Sequence, residues 1–349
     1  MEGWYSLLFQ PLAGSVYKWQ GEFSPQFRGP QAYSESRSLP LPSTIAGVLA
    51  GVEASRRGLP AQDECLEGEV YGATRNLLED LLGEGFKIRG PYFYIEGRRG
   101  TAEVKLLCMA HKGVNLYCVN AGEPSETLIL KPLALQNTGI ALDTLSKSVI
   151  EHYIYTIKAL DLHATTARVV RDKLKLHSVK RYGILVEVYA DNARDLLDGK
   201  IVWMGGRQRP YRIEVLGQTP ARSIASRASE NAVVHIVSPI LFCGSYKMKI
   251  PLIEPGLERK LYETLCTSLK LSCGEICSRI TFTALGLGYD LCRGRKRPYC
   301  QTVMPGAQFK ASVTEPLKLY DDGVGAYSEL GWGTLLPLPA ISRACSGEE

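Results

Sequence analysis

The sequence predicts an α+β fold, and three observations indicate this class. Short apolar runs bounded by turn residues recur at 92–95, 104–109 and 114–119, which is typical of antiparallel strands and hairpins. Apolar residues at helical spacing follow Ser43 and return over 257–271. The chain has 349 residues and is 45% hydrophobic, which exceeds the usual size of one hydrophobic core. We therefore expect two domains, at residues 1–178 and 179–349.

The first half begins with an apolar run at residues 4–12, which predicts an opening strand. After a stretch rich in proline and glycine, Ser43 follows Pro42 and is a favoured N-cap. Ile45, Val48 and Leu49 then fall near one face at helical spacing, so a helix is predicted to begin there. A second short helix is predicted over 76–82.

The second half begins after a polar and basic stretch, where the run YGILVEVY at 182–189 predicts a buried strand. The predicted domain boundary near 178 rests on this change of composition. A strand at 233–237 precedes a helix over 257–271, in which leucines recur every four residues as a core stripe. Strands are predicted at 279–285 and 303–313, followed by a glycine-rich segment over 329–336.

The composition limits the function classes. A formal charge of +5 is only mildly basic, so contact with a polyanion must come from local clusters. No run approaches the roughly 18 apolar residues that span a bilayer, so we expect a soluble, cytoplasmic protein without a membrane partner. The ten cysteines form no CxxC pair, which favours buried thiols or disulfides over a zinc site. We expect no metal and no cofactor.

Four separated segments share one chemistry. They are FRGP at 27–30, LPLPSTIAG at 39–47, WMGGRQR at 203–209 and GWGT at 331–334. Each joins glycine or proline to basic or hydroxyl side chains, which suits a backbone that approaches phosphates. Three further segments accompany them: GIALD at 139–143, Ser238-Pro239 after a strand, and VMPGA at 303–307.

In this order the segments resemble the RAMP superfamily of CRISPR proteins, and over nearly the full length the family of third subunits of the Cmr complex, the type III-B effector. Met204, Gln208 and Gln308 depart from the residues common in that family but leave its glycines and arginines in place. The resemblance implies two ferredoxin-like, RRM-related RAMP domains with insertions and a C-terminal glycine-rich loop. It also implies three partners: the 5′ tag of the CRISPR RNA (crRNA), the large polymerase-like subunit and the neighbouring backbone RAMP subunit.

The candidate RNA-binding residues belong to these segments and to the densest basic run, RGRKR at 293–297, which could neutralise several phosphates. In the segment WMGGRQR at 203–209, two glycines would let the backbone approach RNA while the arginines contact phosphates or splayed bases. The candidates are Arg28, Ser43, Thr44, Lys147, Gly205, Gly206, Arg207, Arg209, Arg293, Arg295, Lys296, Arg297, Gly331, Trp332 and Gly333.

Each candidate has a structural alternative. Ser43 could simply cap its helix, Arg207 and Arg209 could lie on an exposed hairpin, and the run 293–297 could be solvated or could face an acidic partner. Trp332 could stack on a base or belong to the core. Lys147 could face solvent.

We predict that the chain is not an enzyme, and two enzymatic alternatives stay open. A related RAMP branch cleaves repeat RNA with a catalytic histidine, and this chain has His111, His152, His163, His177 and His235. Each of these fits a core or surface role, since no catalytic constellation surrounds it in the sequence. The sequence lacks the usual motifs of a nucleotide- or metal-dependent enzyme. Asp321-Asp322 is the adjacent acidic pair considered as a metal site for this alternative. The type III-A counterpart is the alternative within the family.

Overall fold

The computed structural model describes residues 3–17, 19, 37–59, 70–142, 149–169, 178–191, 193–205, 208–243, 257–269, 271–287, 289–290, 295–296 and 299–339. Its helices are α1 (Pro42–Arg56), α2 (Gly72–Leu82), α3 (Leu162–Arg168), α4 (Arg194–Leu197), α5 (Pro220–Ala225), α6 (Leu257–Leu269) and α7 (Pro316–Asp322). Its strands are β1 (Gly3–Pro11), β2 (Lys87–Arg99), β3 (Ala102–Ala110), β4 (Leu116–Asn120), β5 (Thr127–Leu130), β6 (Ala134–Leu142), β7 (Val149–Leu160), β8 (Ser178–Ala190), β9 (Ile201–Met204), β10 (Arg209–Leu216), β11 (Asn231–Ile236), β12 (Ile240–Phe242), β13 (Ser272–Ile276), β14 (Phe282–Gly286), β15 (Tyr289–Asp290), β16 (Arg295–Lys296), β17 (Tyr299–Val303), β18 (Gln308–Ser312) and β19 (Leu335–Leu338).

The largest sheet has eight antiparallel strands in the order β5-β4-β3-β2-β8-β1-β10-β9. Its central strands are apolar on both faces, because side chains alternate across a strand and each face covers a core. In β1, Leu7 and Phe9 enter one core and Leu8 enters another. Helices and antiparallel sheets together confirm the α+β class. The sheet crosses the predicted boundary near 178, and the two ferredoxin-like domains stay a prediction.

One face of this sheet is covered by α1 and α2. Ile45 and Leu49 of α1 are fully buried in this core, and Leu78 and Leu82 of α2 join them. Val48 packs against the same core while partly exposed. The apolar face predicted for the first helix is therefore confirmed.

The other face packs against α5, α7 and a second sheet, whose strand order is β13-β18-β11-β19. Behind the second sheet, a third core holds Val234 and Phe309 together with Leu265 and Leu269 of α6. Leu265 and Leu269 of the predicted leucine stripe thus lie in a core. The layers are, in order, α1 and α2, the eight-stranded sheet, the second sheet, and α6. Because the central strands of the eight-stranded sheet are covered on both faces, their sequences are continuous apolar runs.

Two predicted strands differ from those observed. The strand predicted over 303–313 is two strands, β17 and β18, which belong to different sheets and are separated by a turn at 304–307. Apolar residues continue on both sides of this turn, so the sequence pattern did not show the break between the two strands. The strand predicted from 279 begins at Phe282.

Three disulfides connect described cysteines: Cys108–Cys118 between the adjacent strands β3 and β4, Cys243–Cys300, and Cys266–Cys273. This agrees with the disulfide interpretation of the cysteines. In the described ranges, no group of three or more His, Cys, Asp or Glu residues could hold a metal ion. None of the helices in those ranges is long and apolar enough to cross a membrane.

Candidate nucleic-acid interface

A cleft of about 570 Å³ opens where the β3–β4 turn meets residues 37–39 and two turns of the second half of the chain. Three cationic side chains line it: Arg37, Lys112 and Arg279. No lining residue in the described part of the chain is Asp or Glu. We call this the basic cleft. Its charge favours a polyanionic ligand, because the cations come from three segments and face one cavity.

Local contacts fix the walls of the basic cleft. The Ser38 hydroxyl donates a hydrogen bond to the carbonyl oxygen of Val114, which ties residues 37–39 to the β3–β4 turn. The indole Nε1 of Trp19 donates to the carbonyl oxygen of Leu39 at 2.6 Å. On the opposite wall, Gly306 packs so closely that an added Cβ would lie 3.0 Å from the Cα of His111. The predicted family segment VMPGA at 303–307 therefore forms part of this site.

His111 lies in the wall of the basic cleft. Burial, together with the neighbouring charge of Lys112, lowers the pKa of His111 below its usual value. Its Nδ1 atom is buried without a hydrogen-bond partner among the described residues. Because its pKa is lowered, the ring is neutral near pH 7.

His235 lies behind this wall and has a structural role. Its ring stacks on Tyr117 with 5.7 Å between centroids, and its two nitrogens face the Ala110 carbonyl oxygen at 2.9 Å and the Gln308 amide nitrogen at 2.8 Å. These contacts fit a tautomer in which Nε2 donates and Nδ1 accepts. Burial lowers the pKa of His235 to about 3, so the ring stays neutral. The expected core role of this histidine agrees with the structure.

The segment around Gly205 reaches the same side of the molecule. Gly205 has a φ of +76°, and an added Cβ would lie 2.5 Å from the carbonyl oxygen of Val16, so glycine is required. The next residue, Tyr17, accepts a hydrogen bond from the Arg37 backbone at 2.8 Å. Residues 16–17 thus lie between Gly205 and the basic cleft. The Nε atom of Arg209 is buried and has no hydrogen-bond partner among the described residues.

The first helix starts two residues before the predicted position. Pro42 is its first residue and Leu41 the N-cap, so the N-cap role predicted for Ser43 is wrong. Proline suits the first turn because its missing N–H would have no helical partner there. The backbone N–H of Thr44 donates to the Leu41 carbonyl oxygen at 2.9 Å. Ser43 and Thr44 are both partly exposed in the first turn.

The glycine loop at 331–334 serves packing in this structure. Trp332 is only 1% exposed and belongs to the main core, so base stacking predicted for it is contradicted and its alternative core role is observed. Gly333 has a φ of +63°, and an added Cβ would lie 1.7 Å from the Val324 carbonyl oxygen. The Ser238 hydroxyl donates to the Gly331 carbonyl oxygen at 2.6 Å, so two of the recognised segments contact each other. The loop holds the second sheet against the first.

Several predicted residues fall outside the described part of the chain. For Arg295 and Lys296 the backbone forms β16, which pairs with β15, but their side chains are not described. The residues outside the described ranges are Arg28, Lys147, Gly206, Arg207, Arg293 and Arg297. Their RNA contacts stay predictions.

The acidic pair weighed for a metal enzyme has a different use. Asp321 binds Arg222 at 3.0 Å, and Asp322 binds Lys87 at 2.7 Å. Each carboxylate thus has its own cation, and the pair closes the end of α7 against neighbouring elements.

The sequence interpretation missed Arg37, Lys112 and Arg279. Each stands alone in its segment, so no local density of charge marks it. Two signals were available. Lys112-Gly113 is a basic residue beside glycine in a hairpin turn, and Arg37 lies two residues before the recognised segment at 39–47.

No family model matches the chain. Two solved structures of the type III-B effector Cmr-beta share its fold. A chain of Cmr-beta bound to cognate target RNA aligns with a TM-score of 0.54 and 19% identity, over 96% of this chain and 99% of that chain. A chain of Cmr-beta bound to cognate target RNA and AMPPnP, in state 1, gives a TM-score of 0.54 and 17% identity over the same shares. The chain therefore shares its fold with a chain of each of these two complexes.

A curated relative is similar to the chain over nearly its full length. It is the CRISPR system CMR subunit Cmr3 of Saccharolobus solfataricus, which is 23% identical over 350 residues, or 95% of this chain and 96% of the relative. The resemblance to the third Cmr subunit, predicted from the glycine-rich and basic segments, is confirmed by this full-length similarity.

Proposed function

We propose that this chain is a non-catalytic subunit of a type III-B (Cmr) CRISPR effector complex in antiviral defence, where it anchors the repeat-derived 5′ tag of the crRNA. The full-length similarity to Cmr3 and to a chain of Cmr-beta supports membership of such a complex. In this proposal the large polymerase-like subunit and the neighbouring backbone RAMP subunit dock on the protein.

The basic cleft is the observation that carries the RNA-binding role. Its volume of about 570 Å³ falls within the range of roughly 300–1,000 Å³ typical of ligand pockets. Arg37, Lys112 and Arg279 supply charge for phosphates, and the partly exposed ring of Phe282 supplies a surface for a splayed base. Single-stranded RNA is recognised by this combination of cations and stacking surfaces.

Comparing crRNA with and without its 5′ tag tests the proposal. Wild type should bind the tagged RNA more tightly and leave it uncut, and Arg37→Ala/Lys112→Ala should lose this preference. Arg207→Ala/Arg209→Ala tests the second predicted loop in the same way. Equal binding of both RNAs by wild type would overturn the anchoring role.

Endoribonuclease activity is the competing function, and the position of His111 in the basic cleft is the observation that favours it. General acid–base cleavage needs a proton donor as well as a base. The described cleft offers His111 as a neutral base beside cations whose role is charge stabilisation. Incubation with tagged RNA decides between the functions: cleavage by wild type that His111→Ala abolishes would establish the nuclease, and intact RNA would support the anchoring subunit.

A further inference from the structure

A second surface lies at the β9 end of the eight-stranded sheet. There β9 is the outermost strand, and among the described residues no strand pairs with its outer edge. A groove of about 540 Å³ runs between β9 and α1. We call it the edge groove.

The backbone of β9 presents hydrogen-bonding groups to this groove. Tyr211 pairs with Val202, and Pro210 pairs with Trp203, in the β9–β10 register. Pro210 has no N–H, and its carbonyl oxygen accepts from Leu12 on the other side, so Trp203 and Pro210 form a pair without hydrogen bonds between them. The bond from the Ile213 N–H to the Lys200 carbonyl oxygen fits the same alternation.

It follows that the N–H and C=O groups of Ile201 and Trp203 point outward. The other residues of β9 alternate with them and bond to β10. An extended chain laid against β9 could therefore pair with two residues of the strand, which is the geometry of β-strand addition.

The side chains around this edge are unusually apolar for a surface. Ile201 is 56% exposed, Trp203 60% and Leu196 39%. On the α1 side, Gly47 and Gly51 leave open space, since an added Cβ would meet nothing within 4 Å at either position. An added strand would thus place alternate side chains over Ile201 and Trp203 on one face and into the space beside the glycines on the other.

The charges of the edge groove indicate the flanks of the occupant. Its charged lining residues within the described ranges are Arg56 and Lys200, and no carboxylate lines it. Apolar side chains and an open backbone edge fit a polypeptide better than RNA. Arg56 already binds Glu53 of its own helix at 2.6 Å, so the charge that fits an acidic residue of the occupant is that of Lys200. We propose that the edge groove binds an extended segment of a neighbouring protein subunit, with apolar residues at alternate positions and an acidic residue near Lys200. The choice of partner rests on the proposed membership of an effector complex.

The test is reconstitution of the complex from its own companion subunits and crRNA. Ile201→Glu/Trp203→Glu should weaken retention of one protein subunit by about tenfold or more, as loss of an apolar anchor does. Ile129→Glu is the matched control, because Ile129 is 51% exposed on β5 at the opposite edge of the same sheet. It should leave the complex unchanged. Thermal unfolding of each variant alone excludes loss of folding.

A second pair of variants isolates the backbone pairing. Ile201→Ala removes only the side chain, whereas Ile201→Pro also removes the outward N–H and is tolerated at an open strand edge. Strand addition predicts that Ile201→Pro lowers retention further than Ile201→Ala, and that the amides of Ile201 and Trp203 gain hydrogen-exchange protection on assembly. Equal effects without protection would overturn strand addition.

The remaining outcomes are equally decisive. Undiminished retention in Ile201→Glu/Trp203→Glu would overturn the proposal. If the isolated wild-type chain forms dimers and these two substitutions convert them to monomers, the occupant is a second copy of the chain and the proposal is also overturned. Loss of crRNA binding in the isolated variant would point to RNA as the occupant. Binding of crRNA by wild type is measured in parallel, so failure of the RNA-anchoring role is distinguished from failure of the docking groove.

Discussion

The salt dependence of RNA binding tests the basic cleft quantitatively. For single strands, each phosphate contact contributes about 0.7 to the slope of log affinity against log salt concentration. If Arg37, Lys112 and Arg279 each neutralise one phosphate, replacing all three by alanine should reduce the slope by about 2. Between about 50 and 200 mM salt, wild type should therefore lose about 20-fold more affinity than the triple variant.

A charge-matched control separates the cleft from total charge. Arg99, Lys310 and Lys318 each form an exposed ion pair with a glutamate, away from the cleft lining. Replacing these three by alanine changes the net charge equally and should cost little stability, since exposed pairs contribute about 0–1 kcal/mol each.

The assay is equilibrium binding of tagged crRNA by fluorescence anisotropy at four salt concentrations for wild type and both triple variants. The cleft variant alone should show the shallower slope. Equal slopes for the two variants would mean that binding follows total charge. An unchanged slope in the cleft variant would refute the assignment of these cations to phosphate.

Three further predictions concern stability, measured by urea unfolding. Folding lowers the pKa of His235 from 6.5 to about 3. Below pH 6.5 the unfolded chain therefore takes up a proton that the folded chain does not. The free energy of unfolding falls as the pH falls from 6.5, by about 1.4 kcal/mol per pH unit. His235→Gln should lack this slope between pH 6.5 and about 5; a slope equal to that of wild type would assign the effect elsewhere. Trp332→Ala should cost about 3–5 kcal/mol, and a cost below 1 kcal/mol would contradict its burial in the core. Gly205→Ala should destabilise the protein by about 1–3 kcal/mol, because of the positive φ of Gly205 and the clash of the added Cβ with Val16. Gly51→Ala, on the open surface of α1, is the control and should be neutral or slightly stabilising. Equal effects of the two substitutions would contradict the close approach of Gly205 to Val16.

The secondary structure was largely predictable from local patterns. Continuous apolar runs such as 182–189 mark strands buried on both faces, and β8 is such a strand between β1 and β2. Pairing partners were not predictable in the same way, because no local signal tells β8 to join strands whose paired residues precede it by 80 to 187 residues. The extension of the first sheet to Leu216 is therefore a result of long-range packing.

The basic cleft shows a similar limit for the functional site. A search for dense positive charge in the sequence predicted the run 293–297 as an RNA-binding segment. The three cations of the cleft instead come from positions separated by 75 and 167 residues along the chain. What brings them together is tertiary contact, such as the bond from Ser38 to Val114 and the packing of Gly306 on His111. A sequence search for local clusters finds sites made by one loop and misses sites made by three.

The recognised glycines have a physical explanation that does not require RNA. Gly205 and Gly333 both lie where the backbone of another segment approaches too closely for a side chain, at Val16 and at Val324. A protein that needs these contacts to join its sheets keeps glycine there whatever it binds. At these two positions the glycines therefore report on packing within the fold and not on RNA contact. Evidence for RNA contact has to come from the cations, because three of them line one open cavity. For this reason the salt slope of the cleft variant, and not the effect of glycine substitutions, decides whether this surface holds the guide.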